Sequence, residues 1–97
     1  MLIAIDFDDT LTLDPVFWRQ FILLCRSNDH RIVIVTARVK TLESQMVIQN
    51  WCEENLNSVS IGVWFTSHGS KTDYMMDRGI KVDVWIDDNP RTCALGH

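Results

Sequence analysis

The sequence predicts an α/β domain on a parallel sheet, for two reasons. Short β-branched runs alternate with segments of helical periodicity, and carboxylates stand directly behind the first and last of those runs. Leu2-Ile3-Ala4-Ile5, Arg31 to Thr36, Gly62 to Thr66 and Val82 to Ile86 read as four strands; near-continuous apolar runs suit parallel strands covered on both faces. Asp14-Pro15 reads as N-cap and first residue of a helix that places Phe17, Phe21, Leu24 and Cys25 on one face and ends at Asn28-Asp29. A second helix, from about Lys40 to Leu56, carries the stripe Val47, Ile48, Trp51 and Cys52, with Glu53 and Glu54 outside it. Ser70 caps a short helix, with Asp73 in capping-box position and Gly79 at the C-terminal end. A last helical turn is expected to run to Leu95 before Gly96. No repeat, low-complexity tract or linker interrupts the series, so residues 1–97 are expected to form one domain.

Composition narrows the function classes. The chain is 46% hydrophobic, enough for one modest core at 97 residues. No run approaches the roughly 18 apolar residues of a membrane span, and a strand beginning at Leu2 leaves no room for a signal peptide, so a soluble cytoplasmic protein is expected. Cys25, Cys52 and Cys93 are odd in number and scattered, which favours reduced thiols over disulfides or zinc. A net charge of -4 argues against a general nucleic-acid-backbone binder; an anionic substrate must be drawn by local charge.

The chemistry concentrates at strand ends. Side chains two apart on an extended chain share a face, so Asp6 and Asp8 of Asp6-Phe7-Asp8-Asp9-Thr10-Leu11 are expected to converge at the carboxyl edge of the first strand, where open α/β sheets place ligands. Three carboxylates in four residues repel one another and call for a cation. Thr36 ends the second strand, Lys71 opens the helix after the third, and Asp87-Asp88 follow the fourth. In that order Asp6 could attack phosphorus, Thr36 could donate to a phosphoryl oxygen and Lys71 could balance charge, while Asp87 with Asp6 could hold a hard cation. Asp6, Asp8, Asp87 and Asp88 are expected to crowd one edge with Lys71 as the cation among them.

In these motifs and their order the chain resembles the haloacid dehalogenase superfamily of phosphohydrolases over nearly its whole length. The resemblance implies a Rossmann-like three-layer αβα sandwich with a central parallel sheet of about four strands. It implies Asp6 as the nucleophile that becomes an aspartyl-phosphate, Asp8 as general acid and then base, and Thr36 and Lys71 as holders of the transferring phosphoryl oxygens. Mg²⁺ would sit on the Asp6 carboxylate, the Asp8 backbone carbonyl and Asp87, with Asp88 as ligand or neighbour. The family usually inserts a cap domain. Here about 30 residues separate Asp6 from Thr36 and only Ser67 to Ser70 precede Lys71, so an essentially capless enzyme is expected, with an open site for a bulky or polymeric phosphate ester or a lid from another subunit.

Thr36-Ala37-Arg38 and the motifs around it are also similar to the 3'-phosphatase domain of polynucleotide kinase and to small nucleotidases. A nucleotide or a nucleic-acid end phosphate is therefore a candidate substrate. Arg38 would meet a substrate phosphate, or else tie down the loop after Thr36. Family members often add a fifth strand; its absence would leave residues 82 to 86 as an open edge, to be covered by another subunit or by the C-terminal turn. Gly69-Ser70-Lys71-Thr72 is not a P-loop, because Ser70 stands where glycine is required. A receiver-like phosphoacceptor domain would carry its acidic pair first, whereas here the pair comes last. A non-catalytic phosphate-binding module would not need all four motif residues.

Overall fold

The computed structural model describes residues 1–56 and 60–89. Its elements are β1 (Leu2–Ile5), a 3₁₀ turn (Leu11–Leu13), α1 (Pro15–Ser27), β2 (Arg31–Thr36), α2 (Leu42–Asn55), β3 (Gly62–Phe65), α3 (Lys71–Asp77) and β4 (Val84–Ile86). The four strands form one parallel sheet in the order β3-β2-β1-β4. The domain is thus a small α/β unit compatible with a Rossmann-like arrangement. The expected turn to Leu95, and Cys93 with it, lie outside the described residues.

The register explains the two cores. Ile3, Ile5, Ile32, Ile34, Val63, Phe65 and Ile86 alternate onto one face of the sheet, packed against α1 and α2 through Ile22, Cys25, Ile48 and Leu56. Leu2, Ala4, Val33, Val35, Trp64 and Trp85 occupy the other face, against Met75 and Tyr74 of α3. Connection handedness requires this division. A right-handed crossover from β1 to β2, and again from β2 to β3, puts both helices on one face; the return from β3 to β4 runs the opposite way and puts α3 on the other.

The helix boundaries follow their caps. Asp14 accepts from the Phe17 amide and Ser70 from the Asp73 amide, both as expected. Gly79, at φ +70, closes the end of α3. Thr41 accepts from the Ser44 amide, which starts α2 at Leu42 rather than near Lys40. The buried face of α1 differs from the expected one. Ile22 and Cys25 are buried with Trp18 and Phe21 beside them, whereas Phe17 and Leu24 are 52% and 62% exposed. Residues 18, 21, 22 and 25 form one i, i+3, i+4, i+7 set, so the helix is rotated by about one residue. Val47 likewise faces outward while Ile48 packs inward.

β4 begins at Val84, two residues later than expected, and Asp83 fastens its start to β1. The Asp83 amide donates to the Leu2 carbonyl at 2.9 Å and its carboxylate accepts from the Leu2 amide at 2.8 Å. Among the described residues, β4 and β3 are the two outer strands of the sheet. Cys25 and Cys52 are free thiols, each with its pKa raised by burial.

Candidate active site

The strand order places a switch point between β1 and β4: from β1 the chain steps outward to β2 and β3, then returns to the far side of β1. Diverging connections open a crevice at the carboxyl ends there, the usual ligand position in such sheets. Asp6 leaves β1 and Asp87 leaves β4 at this edge. They are held side by side because the Asp6 amide donates to the Ile86 carbonyl at 2.9 Å.

Lys71, buried at the N-terminal end of α3, joins them. Its Nζ donates to Asp6 Oδ1 at 2.8 Å and to Asp87 Oδ2 at 2.5 Å. The ammonium and both carboxylates are all but shielded from water, with side-chain exposures of 2%, 9% and 4%. Burial alone would lower the Lys71 pKa, but the Asp6 and Asp87 hydrogen bonds outweigh it and hold it above the ordinary value. Asp6 moves the other way from most ion-paired acids. Burial pushes its pKa up to about 6, against the pull of the Lys71 hydrogen bond, with Asp88 and Asp87 adding to the rise.

Asp88 completes the group. Asp6, Asp87 and Asp88 each present a carboxylate oxygen within 4.8 Å of the others, a cluster that could hold a metal ion. Thr10 lies between two of them, its hydroxyl 3.4 Å from Asp6 Oδ2 and 3.5 Å from Asp88 Oδ1. Asn89 donates its amide to Asp87 Oδ1 at 2.8 Å, turning the chain after β4 around that carboxylate. With all three acids ionised and one ammonium, the cluster carries two formal negative charges.

Asp8 does not join this cluster. It pairs with Arg38 through a two-pronged bridge, Nε to Oδ2 at 2.9 Å and a terminal nitrogen to Oδ1 at 2.8 Å. That hydrogen-bonded guanidinium holds the Asp8 carboxyl below its ordinary pKa, and the charge of Lys71 lowers it further. The expected four-carboxylate crowd is therefore divided between two cations. Arg38 occupies the loop-tying role set out above, with its guanidinium 5.5 Å from the centre of the buried Phe7 ring. Asp9 is exposed on left-handed backbone, at φ +58, and its amide donates to Thr12 rather than serving the site.

Thr36 is fully buried, and its hydroxyl accepts from the Arg38 amide at 3.2 Å. Its carbonyl receives both the amide and the hydroxyl of Thr66, while Ala37 and Arg38 accept from His68 and Ser67. The loops after β2 and β3 are thus bonded to each other. Ser67 and His68 adopt left-handed backbone, at φ +54 and +66, to make this turn, and His68 is exposed.

Sequence reasoning assigned no role to Thr10 or Thr66. Thr10 stood inside the quoted acidic motif, four residues after Asp6; Thr66 had no signal beyond its place at the end of the third strand. Comparison with protein-family models, with curated proteins and with solved structures found no match.

Proposed function

We propose that the chain is a Mg²⁺-dependent phosphomonoester phosphatase of haloacid dehalogenase type, working through an aspartyl-phosphate on Asp6. The observation that carries the reading is the buried Asp6–Lys71–Asp87 triad at the β1/β4 switch point, with Asp88 beside it. Such a group is expensive for a small domain to maintain for packing alone, since burying charged groups costs several kcal/mol each before their pairing is counted.

The oxygen-only donor set suits a hard cation, and two formal negative charges match a divalent one. Asp6, Asp87 and Asp88 each bring a carboxylate oxygen within 4.8 Å of the others, a gathering of hard donors that fits such an ion. Asp6, Asp87 and Asp88 would hold the ion, with the Asp8 carbonyl as a further donor. When bound, Mg²⁺ supplies positive charge to the phosphoryl oxygens and so admits a dianion to an anionic nucleophile.

Every other contribution belongs to the chain's own residues. The Asp6 carboxylate attacks phosphorus in line; the bond to the leaving oxygen breaks, and water later cleaves the acyl-phosphate to regenerate the carboxylate. Lys71 fixes the Asp6 rotamer and neutralises charge that would repel the substrate. At ~4 Å and an effective dielectric near 20, each such charge pair is worth on the order of 4 kcal/mol. Asp8, once freed from Arg38, would take up a proton from solvent, give it to the leaving alcohol and then take one from the attacking water. Arg38 would exchange its two-pronged hold on Asp8 for one on a substrate phosphate, whose oxygens match the same fork. That exchange would release Asp8 to carry a proton. Thr36 accepts from the Arg38 amide and keeps its own proton for a phosphoryl oxygen. The substrate is a small phosphate ester, with a nucleotide or nucleic-acid end phosphate favoured by the Thr36-Ala37-Arg38 resemblance. No helix among the described residues is long and apolar enough to cross a membrane.

The test is hydrolysis of an aryl phosphate by the purified chain, with Mg²⁺ or with EDTA, beside the Asp6→Asn variant. Turnover should require the metal and disappear in the variant. Metal-dependent phosphate binding without turnover would favour a non-catalytic phosphate-binding module instead. A rate indifferent to EDTA or to Asp6→Asn would eliminate the aspartyl-phosphate mechanism.

A further inference from the structure

The layer formed by α1 and α2 exposes large apolar side chains on its outer surface, among polar and charged ones. Its inner surface packs on the sheet. On its outer surface α1 presents Val16, Phe17, Leu23 and Leu24, exposed by 69%, 52%, 42% and 62%, and α2 presents Met46 and Val47, exposed by 51% and 40%. A surface helix of a globular domain ordinarily has a polar outer face, and large apolar side chains gathered there, rimmed by charge, mark a surface that meets a partner.

The charges on the two helices indicate what that partner is. Within α1 the charged residues are Arg19 and Arg26, both exposed, and no acid is present. Within α2 they are Glu43, Glu53 and Glu54, all exposed, and no base is present. We propose that this face is the interface of a homodimer in which α1 of each copy lies along α2 of the other.

The geometry permits this pairing twice in one interface. Both helices follow parallel strands, so they point the same way and begin at the same end of the sheet. A two-fold axis running parallel to them and between them sets α1 on the partner's α2 and α2 on the partner's α1, all in the same direction. At ~1.5 Å rise per residue, Arg26 and Glu53 both lie roughly 16 Å from their helix starts, and Arg19 and Glu43 lie within about 5 Å of a common level. Leu23, Leu24, Met46 and Val47 then lie between these two charged rungs, with Val16 and Phe17 at the start of α1 just outside them. Arg26 gives one hydrogen bond to the Ser60 carbonyl, and a guanidinium has further donors for a glutamate.

The experiment is sedimentation of the full chain across about 1 to 200 μM, a range that brackets the micromolar affinities of modest interfaces. A reversible dimer is expected, and raising salt well above physiological strength should weaken it, because rim charges are screened. Leu24→Glu should weaken dimerisation at least tenfold with unchanged circular dichroism; Leu24→Gln serves if the glutamate disturbs folding. Arg19→Glu with Arg26→Glu should also weaken it. Adding Glu43→Arg, Glu53→Arg and Glu54→Arg to that same chain should restore it, which a general loss of stability would not do. A monomer throughout the range overturns the proposal. So does a dimer indifferent to Leu24 and to the charge reversals, as pairing through the β4 edge would be.

Discussion

The raised pKa of Asp6 makes a quantitative prediction about stability in the absence of metal. A carboxyl moved from an ordinary value of 3.8 to about 6 binds its proton more tightly in the folded chain than in the unfolded one. Between those two values the folded state therefore holds more protons, and stability must fall as pH rises through the window. At about 1.36 kcal/mol per pH unit the full loss comes to roughly 3 kcal/mol. Asp8 works in the opposite sense but below this window. Its pKa lies under the ordinary carboxylate value, so its contribution is fully present above about pH 4 and is lost only as pH falls further. Urea unfolding in EDTA at half-unit steps from pH 4 to 8 should show the decline between pH 4 and 6 in wild type, and a nearly level profile in Asp6→Asn. Mg²⁺ at a hundredfold excess over Kd should flatten the slope, because the ion binds the carboxylate and not the acid and adds about 2.7 kcal/mol, close to the loss it opposes. Equal slopes in wild type and Asp6→Asn would refute the assignment of Asp6 as the strained acid of the cluster.

Two further perturbations separate the two ion-paired halves of the site. Lys71→Met leaves Asp6 and Asp87 buried without their ammonium and should cost about 3–5 kcal/mol without metal, in the range for breaking a buried pair; urea midpoints with and without Mg²⁺ would show the ion recovering part of that loss, and an unchanged metal-free midpoint would mean the triad contributes nothing. Arg38→Ala breaks a bridge whose two side chains are 31% and 46% exposed, so its stability cost should be about 1 kcal/mol or less. In nuclear magnetic resonance titration the Asp8 carboxyl should move back up toward its ordinary value, and no movement would remove Arg38 as the cause of its low pKa.

The parts of the fold that were legible in the sequence are those where chemistry is one-sided. β2 runs from Arg31 to Thr36 as expected, because a β-branched run buried on both faces leaves little else to form. The caps at Asp14 and Ser70 were legible for a similar reason, each being a short polar side chain ahead of a helical run. The buried face of α1 was not legible. Trp18, Phe21, Ile22, Leu23, Leu24 and Cys25 offer no polar residue to mark the outside, so periodicity could not select among adjacent faces. At the site, the order of Asp6, Thr36, Lys71 and Asp87 placed the chemistry at the strand ends. Sequence could not divide the carboxylates between cations. Asp8 and Arg38 are 30 residues apart and Lys71 and Asp6 are 65 apart, and nothing in local spacing says which cation reaches which acid.

The position of β4 has a consequence for how the molecule is assembled. β1 pairs with β2 on one side and with β4 on the other, so Ile3 and Ile5 find their partners Val84 and Ile86 across nearly the whole described chain. Closing a loop of that length is entropically slow, and a three-residue strand returns few hydrogen bonds for it. The Lys71–Asp87 ion pair and the Asp83 clasp on Leu2 act at the two ends of β4, which makes the same contacts that shape the site a fastening for its last strand. A chain that has formed β1, β2 and β3 alone has Asp6 but neither Asp87 nor Asp88 beside it, so the carboxylate cluster is completed in a single step, when β4 docks, rather than by degrees.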